Sequence, residues 1–132
     1  MNQKEKDHSH GKIRIGIVGP CGSGKTTLIK QLQKRRDDLD LFHIAQEHSY
    51  VADMWKRLVD PDLLIYLDAS YPTATKRRNL NWSKEDYSEQ LHRLRNAHEL
   101  ADLIIPTDGL TPDQIADQVN DFIRHTTEPY LN

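Results

Sequence analysis

The sequence predicts a three-layer α/β/α domain around a small, mostly parallel sheet of about four strands. Two features predict it. Four short apolar runs alternate with stretches of helical periodicity, and alternation of this kind places helices on both faces of one sheet. One run, DLLIYLD (62–68), is nearly continuously apolar, as befits a parallel strand covered on both sides. Length agrees, because 132 residues support one core rather than two.

The elements follow in order. Residues 1–11 are polar and without periodicity, and read as a flexible tail whose His8 and His10 are solvated rather than metal-binding. Ile13, Ile15 and Ile17 alternate and Val18 follows, which predicts a strand closed by Gly19. Leu28, Ile29 and Leu32 recur at helical spacing up to the charged KRRDDLD. LFHIAQ (41–46) is a second strand candidate. SYVADMWKRL is a short helix stopped at Asp60, because a residue before proline is pushed away from helical angles. After the strand at 62–68, residues 72–100 read as helical with a break around Asn79 to Trp82. Ser83 and Asp86 have capping-box spacing, and Tyr87, Leu91, Leu94 and Ala101 share one face. DLIIPTD (102–108) is the fourth strand. Thr111, Pro112 and Gln114 then open a closing helix with Ile115, Val119, Phe122 and Ile123 on its buried stripe. One domain is expected over 12–126, with a second tail at 127–132.

Composition limits the function classes. The chain is 36% hydrophobic and 29% charged, ordinary for a globular protein. A net charge of −2 gives no general attraction to nucleic acid or anionic membranes, so neither is expected as a partner. No apolar run approaches the roughly 20 residues of a membrane span. No secretion leader is recognisable, and the single cysteine, Cys21, cannot form an internal disulfide, which fits a cytoplasmic setting. With only four strands the core is economical, and a homodimer is plausible.

The chemistry is concentrated in Gly19-Pro20-Cys21-Gly22-Ser23-Gly24-Lys25-Thr26, which matches G-x-x-x-x-G-K-[ST] between a strand and a helix. Glycines let successive backbone N–H groups curl inward to phosphate oxygens, and the following helix adds its positive end. Lys25 would reach the β- and γ-phosphates, the Thr26 hydroxyl would ligate Mg2+, and Thr27 would add a phosphate contact. Cys21 fills a free position of this loop, where a small residue is simply tolerated.

These residues resemble the P-loop kinases of small molecules, such as adenylate, thymidylate, shikimate and deoxynucleoside kinases. The resemblance extends to DPDLLIYLDASYPTATKRR, similar to the strand and arginine-ended helix before their mobile lid, and to ADLIIPTDGLTPDQIADQV, similar to their last strand and helix. QEHSYVADMW (46–55) is similar to the Glu-Arg-Ser segment of deoxynucleoside kinases, with His48 where arginine is usual. The likeness implies a P-loop NTPase fold, a short lid around 72–100, ATP and Mg2+ as cofactors, and phosphoryl transfer. No Asn-Lys-x-Asp segment for reading guanine is present, so the resemblance favours ATP over GTP.

Three carboxylates end apolar runs: Glu47, Asp68 and Asp108. Parallel α/β folds bind ligands at the carboxyl ends of their strands, so all three can face the site. By pattern Asp68 best fits a magnesium-binding strand end; by resemblance Glu47 is the acid that serves magnesium or the acceptor. Asp108, with Thr107, shapes the turn beside the adenine. Arg77 and Arg95 are the arginines the resemblance places over the phosphates or base, while Arg93 pairs naturally with Glu89 one turn earlier. Trp55 and Trp82 read as packing residues, and His92 and His98 face different directions.

The resemblance weakens where nucleoside monophosphate kinases carry an acceptor-binding insert, since only one strand and one short helix fit between Arg36 and DLLIYLD. Two functions therefore follow from the sequence. One is a kinase transferring the γ-phosphate of Mg-ATP to a small, unidentified acceptor. The other is a nucleotide-binding regulatory module with slow or absent hydrolysis.

Overall fold

In the computed structural model, residues 12–78 and 81–127 are described. The expected tail at 1–11, residues 128–132 of the expected tail at 127–132, and Asn79 and Leu80 within the expected helix break lie outside them. Thr127 is instead the last residue of the closing helix. The order is β1 (Ile13–Val18), α1 (Lys25–Arg35), β2 (Leu39–His43), a 3-10 turn at Gln46–His48, α2 (Met54–Leu58), β3 (Leu63–Asp68), α3 (Tyr71–Arg78), α4 (Lys84–Arg93), α5 (Arg95–Leu100), β4 (Leu103–Pro106) and α6 (Pro112–Thr127).

All four strands are parallel, in the order β2-β1-β3-β4. The chain runs outward from β1 to β2, then crosses back to β3 on the other side of β1. Such a reversal leaves a crevice at the carboxyl ends of the two central strands. The loop after β1 opens into that crevice. This is a three-layer α/β/α domain with an all-parallel sheet, consistent with the P-loop NTPase fold.

Each face of the sheet has its own core. On one side Leu28 and Leu32 of α1 and Ile115, Ala116, Val119 and Ile123 of α6 pack on Ile15, Ile17, Leu39, Ile65, Leu67 and Ile105. On the other, Trp55 of α2, Leu94 and Ala97 of α5 cover Val18, Ile44, Leu64 and Tyr66. β3 is buried from Leu63 to Leu67, which explains its unbroken apolar run: its alternate side chains serve opposite cores.

Local signals set the helix ends. Ser83 Oγ accepts from Asp86 N at 3.0 Å while Asp86 Oδ2 accepts from Ser83 N at 3.1 Å. Thr111 and Gln114 exchange the equivalent pair at 3.1 and 2.9 Å, opening α6. Before Pro61, Asp60 leaves the helix in a left-handed conformation with φ 49°.

Three elements differ from the sequence reading. Of the helix expected over SYVADMWKRL, only Met54–Leu58 is helical. β2 begins at Leu39 and ends at His43, because Leu39, Asp40 and Leu41 pair with Ile13, Arg14 and Ile15; Ala45 and Gln46 lie beyond it. The helix after Ser83 is also interrupted at Leu94 (φ −92°, ψ −1°), and α5 starts at Arg95.

Candidate functional site

The loop after β1 has the curvature its glycines allow. Gly22 has φ 83°, and a Cβ there would collide with the Ala74 carbonyl of α3, so a side chain is excluded both by conformation and by space. Gly24, also left-handed at φ 101°, hands the chain to α1. No side chain caps α1, no acid occupies its first turn, and its first intrahelical bond is Leu28 N to Gly24 O at 2.9 Å. The preceding N–H groups carry the positive end of the helix dipole without an internal partner. Gly24, Lys25, Thr26 and Thr27 line a cavity of about 520 Å³ at this point.

Lys25 lies across the loop rather than in solvent. Its Nζ donates to Gly19 O at 2.7 Å, Pro20 O at 3.2 Å and Glu47 Oε2 at 3.0 Å, so its three protons are all used. Lys25 is 5% and Glu47 3% exposed. A buried pair of this kind offsets its desolvation only when its remaining lone pairs are also satisfied. Glu47 Oε1 is buried and has no hydrogen-bond partner. Ser23 Oγ, over Gly19, is buried and unpartnered as well.

Glu47 is held by its neighbour Gln46, which is fully buried. The Gln46 amide donates to Val51 O at 2.9 Å and Arg93 O at 3.2 Å, and its Oε1 accepts from Trp55 N at 2.9 Å. That last bond satisfies an N–H in the first turn of α2. Gln90 of α4 fixes the opposite wall, accepting from Cys21 N at 2.9 Å and donating to Cys21 Sγ at 3.3 Å. Periodicity gives no sign of either glutamine, because both are polar residues at buried positions.

The other candidate residues are distributed as follows. Arg77 Nη1 donates to Ser23 O at 3.2 Å and Thr107 Oγ1 at 2.9 Å, while Nη2 donates to Thr107 O at 2.9 Å, tying α3 and the end of β4 to the loop after β1. Arg77 and Arg78 line the cavity. Arg95 does not; it donates to His92 O at 2.7 Å, its direction set by the break at Leu94. Arg93 instead donates to Glu47 O at 3.3 Å, lies over the Tyr50 ring at 4.5 Å, and keeps Glu89 at 3.4 Å. Asp68, half-buried at the end of β3, is outside the cavity wall. Asp108 accepts from Ser70 N at 3.1 Å, and hydrogen bonds from Ser70 hold its carboxyl below the usual range. Trp82 donates to Thr75 Oγ1 at 2.6 Å and stacks on Tyr71, and Trp55 is buried.

Two groups of residues line the cavity, one from α1, α3 and α6 and their approaches, the other from the loop after β1 and the end of β2 with the turn that follows. The first is Thr26, Thr27, Arg78, Leu110, Pro112 and Ile115; the second is Cys21, His43, Ala45, Glu47 and His48. His43 was unremarkable in the sequence, a strand histidine whose place beside the loop depends on the register of β2. Its pKa lies below the ordinary 6.5, first through partial desolvation and then through the Lys25 charge, with Glu47 opposing.

No protein-family model matches the sequence. The chain is 26% identical to the shikimate kinase of Coxiella burnetii (strain CbuK_Q154), a match spanning 89% of this chain and 95% of that protein. The alignment runs over 174 positions, more than this chain's 132 residues, so it must open gaps here. No helix among the described residues is long and apolar enough to cross a membrane. The distant likeness and the fold together support a P-loop kinase-like protein.

Proposed function

We propose that this protein binds a magnesium nucleoside triphosphate, ATP, in the loop 19–27 and transfers its γ-phosphoryl group to a small acceptor. The observation that carries the reading is the Lys25–Glu47 pair at 3.0 Å, beside an uncapped helix start in the wall of one continuous cavity. An incoming polyphosphate offers Lys25 a stronger anionic partner, and the exchange releases Glu47 toward the acceptor.

The residues present fit magnesium. The Thr26 hydroxyl is on the cavity wall, and the unpartnered Glu47 Oε1 is the kind of hard oxygen that this cation or its water takes. When bound, magnesium would neutralise charge on the β- and γ-oxygens. Asp68, off the cavity wall, is the less favoured partner. The acceptor hydroxyl oxygen forms the new bond to the γ-phosphorus, the bond to the β–γ bridging oxygen breaks, ADP leaves, and Glu47 takes the hydroxyl proton. Gly24 to Thr27 hold the phosphates by their amides, and Arg77 keeps the loop against β4 with α3–α5 as a short lid. Leu110, Pro112 and Ile115 offer an apolar wall for the base. The relative from Coxiella burnetii is a shikimate kinase, which makes a small hydroxylated acid a suitable first acceptor to try.

One feature favours the regulatory module instead: the 44–62 connection holds only a 3-10 turn and the five-residue α2. A screen of hydroxylated acids and nucleosides, read by ADP release, decides between them. ADP release above background with one acceptor supports the kinase; no acceptor exceeding background, with Mg-ATP binding intact, leaves the module. Lys25→Ala is expected to weaken Mg-ATP binding at least about tenfold by calorimetry, as loss of a charge-assisted contact requires. Lys25→Ala/Glu47→Ala, which removes the stranded buried acid, should recover stability without recovering affinity. Unchanged affinity in both variants would refute phosphate binding at this loop.

A further inference from the structure

In the wall of the cavity three side chains converge that the phosphate chemistry does not require together. Cys21 comes from the loop after β1; Glu47 and His48 come from the 3-10 turn after β2. Cys21 Sγ is 3.5 Å from His48 Nε2 and 3.9 Å from Glu47 Oε2, and His48 Nε2 is 3.7 Å from the same oxygen. From these distances we propose that Cys21, Glu47 and His48 form a site for a borderline-soft divalent cation of the zinc class.

The geometry suits that ion. Metal–ligand distances of about 2.0–2.3 Å in a tetrahedron give ligand–ligand edges of about 3.3–3.6 Å. The observed triangle is only slightly wider, and a small inward movement closes it. Thiolate, imidazole and carboxylate are a donor set that selects zinc over magnesium, which takes oxygen ligands. All three residues line the cavity, so a fourth ligand could come from its contents. This leaves an open position, as in zinc sites with three protein ligands.

Two further observations point to a cation. Glu47 is 3% exposed, yet its Oε1 has no partner. The oxygen nearest Cys21 and His48 is Oε2, which also accepts from Lys25. A turned carboxylate can keep one oxygen on Lys25 and give the other to this metal in the nucleotide-free chain; the same group would serve magnesium when ATP is bound. Second, the Gln90 amide donates to Cys21 Sγ at 3.3 Å, an outer contact that orients the sulfur. The exposed His48 ring completes the set without rebuilding the core.

The site is tested on the full chain with no nucleotide present, so its failure does not touch the ATP reading. Co2+ serves as the optical probe, in a His8→Ala/His10→Ala background that removes the tail imidazoles. One equivalent should produce the thiolate charge-transfer and intense d–d bands of a tetrahedral centre, displaced by Zn2+ and not by Mg2+. Cys21→Ser should abolish the charge-transfer band, and His48→Ala should weaken Co2+ binding at least tenfold. In the unmutated chain, Zn2+ but not Mg2+ should slow alkylation of Cys21, its only cysteine. Absence of the band, its survival in Cys21→Ser, or alkylation indifferent to Zn2+ would overturn the proposal.

Discussion

The two faces of the sheet follow different rules. Beneath α1 and α6 thirteen buried side chains form an apolar layer, from Ile15 to Ile123. Beneath α2 and α5 only seven do so, and Gln46, Glu47 and Gln90 are buried beside them. On that second face Trp55 Nε1 donates to Asn96 at 2.9 Å, and the His98 ring meets Tyr66 edge-on at 4.8 Å. The first face is built from interchangeable apolar area, and the second from directional bonds that set where Glu47 and Cys21 stand. Stability resides mainly in one layer and position in the other.

The largest effect that would break this contrast lies on the first face. Leu32 is fully buried between α1 and the sheet. Leu32→Ala is expected to cost about 2–5 kcal/mol in urea unfolding, through lost transfer energy and a cavity. Affinity for Mg-ATP, measured on folded protein, should not change. If affinity fell in step with stability, the two layers would not be separable.

A smaller loss of stability, with a larger consequence for the site, is expected on the second face. Gln46→Leu retains apolar bulk but leaves the Trp55 N–H without its acceptor and removes the amide that donates to Val51 O and Arg93 O. Stranding a buried donor costs about 1–3 kcal/mol. Because Glu47 is the next residue, Mg-ATP affinity should fall as well. A Gln46→Leu protein that lost stability alone would show that Glu47 is positioned by Lys25 and not by the turn.

This division also explains what could be read in the sequence. The loop 19–26, the unbroken β3 run and both capping boxes are local patterns, set by residues within one turn or strand of each other. The start of β2 was not legible, because Leu39 and Asp40 are strand residues only by pairing with Ile13 and Arg14. Nor was the break at Leu94, a fully buried residue with ordinary helical propensity. That break separates Arg93, beside the Glu47 backbone, from Arg95, bonded to His92. Gln46, Gln90 and His43 are polar, and periodicity marks only apolar positions. Their roles come from contacts between residues far apart in sequence, such as Cys21 and Gln90.

The smallest expected effect comes from His43, which stands where the two layers meet the cavity. Its folded pKa is depressed, chiefly by desolvation and then by Lys25. A depressed histidine favours the folded state above its unfolded value near 6.5, and that contribution fades as pH falls through the folded value. His43→Gln should therefore flatten the decline of stability below about pH 6.5 without altering it at pH 8. The same group reports on the loop. A polyphosphate drawn to Lys25 would reverse the local field, so NMR titration of the His43 ring should move upward in pH when a non-hydrolysable Mg-ATP analogue is added. In Lys25→Ala the ring should titrate higher even without nucleotide, because one cause of the depression, the ammonium charge, has gone. If the analogue bound and the ring did not respond, the phosphates would lie away from the end of β2, and Glu47 could not be the group that meets the acceptor.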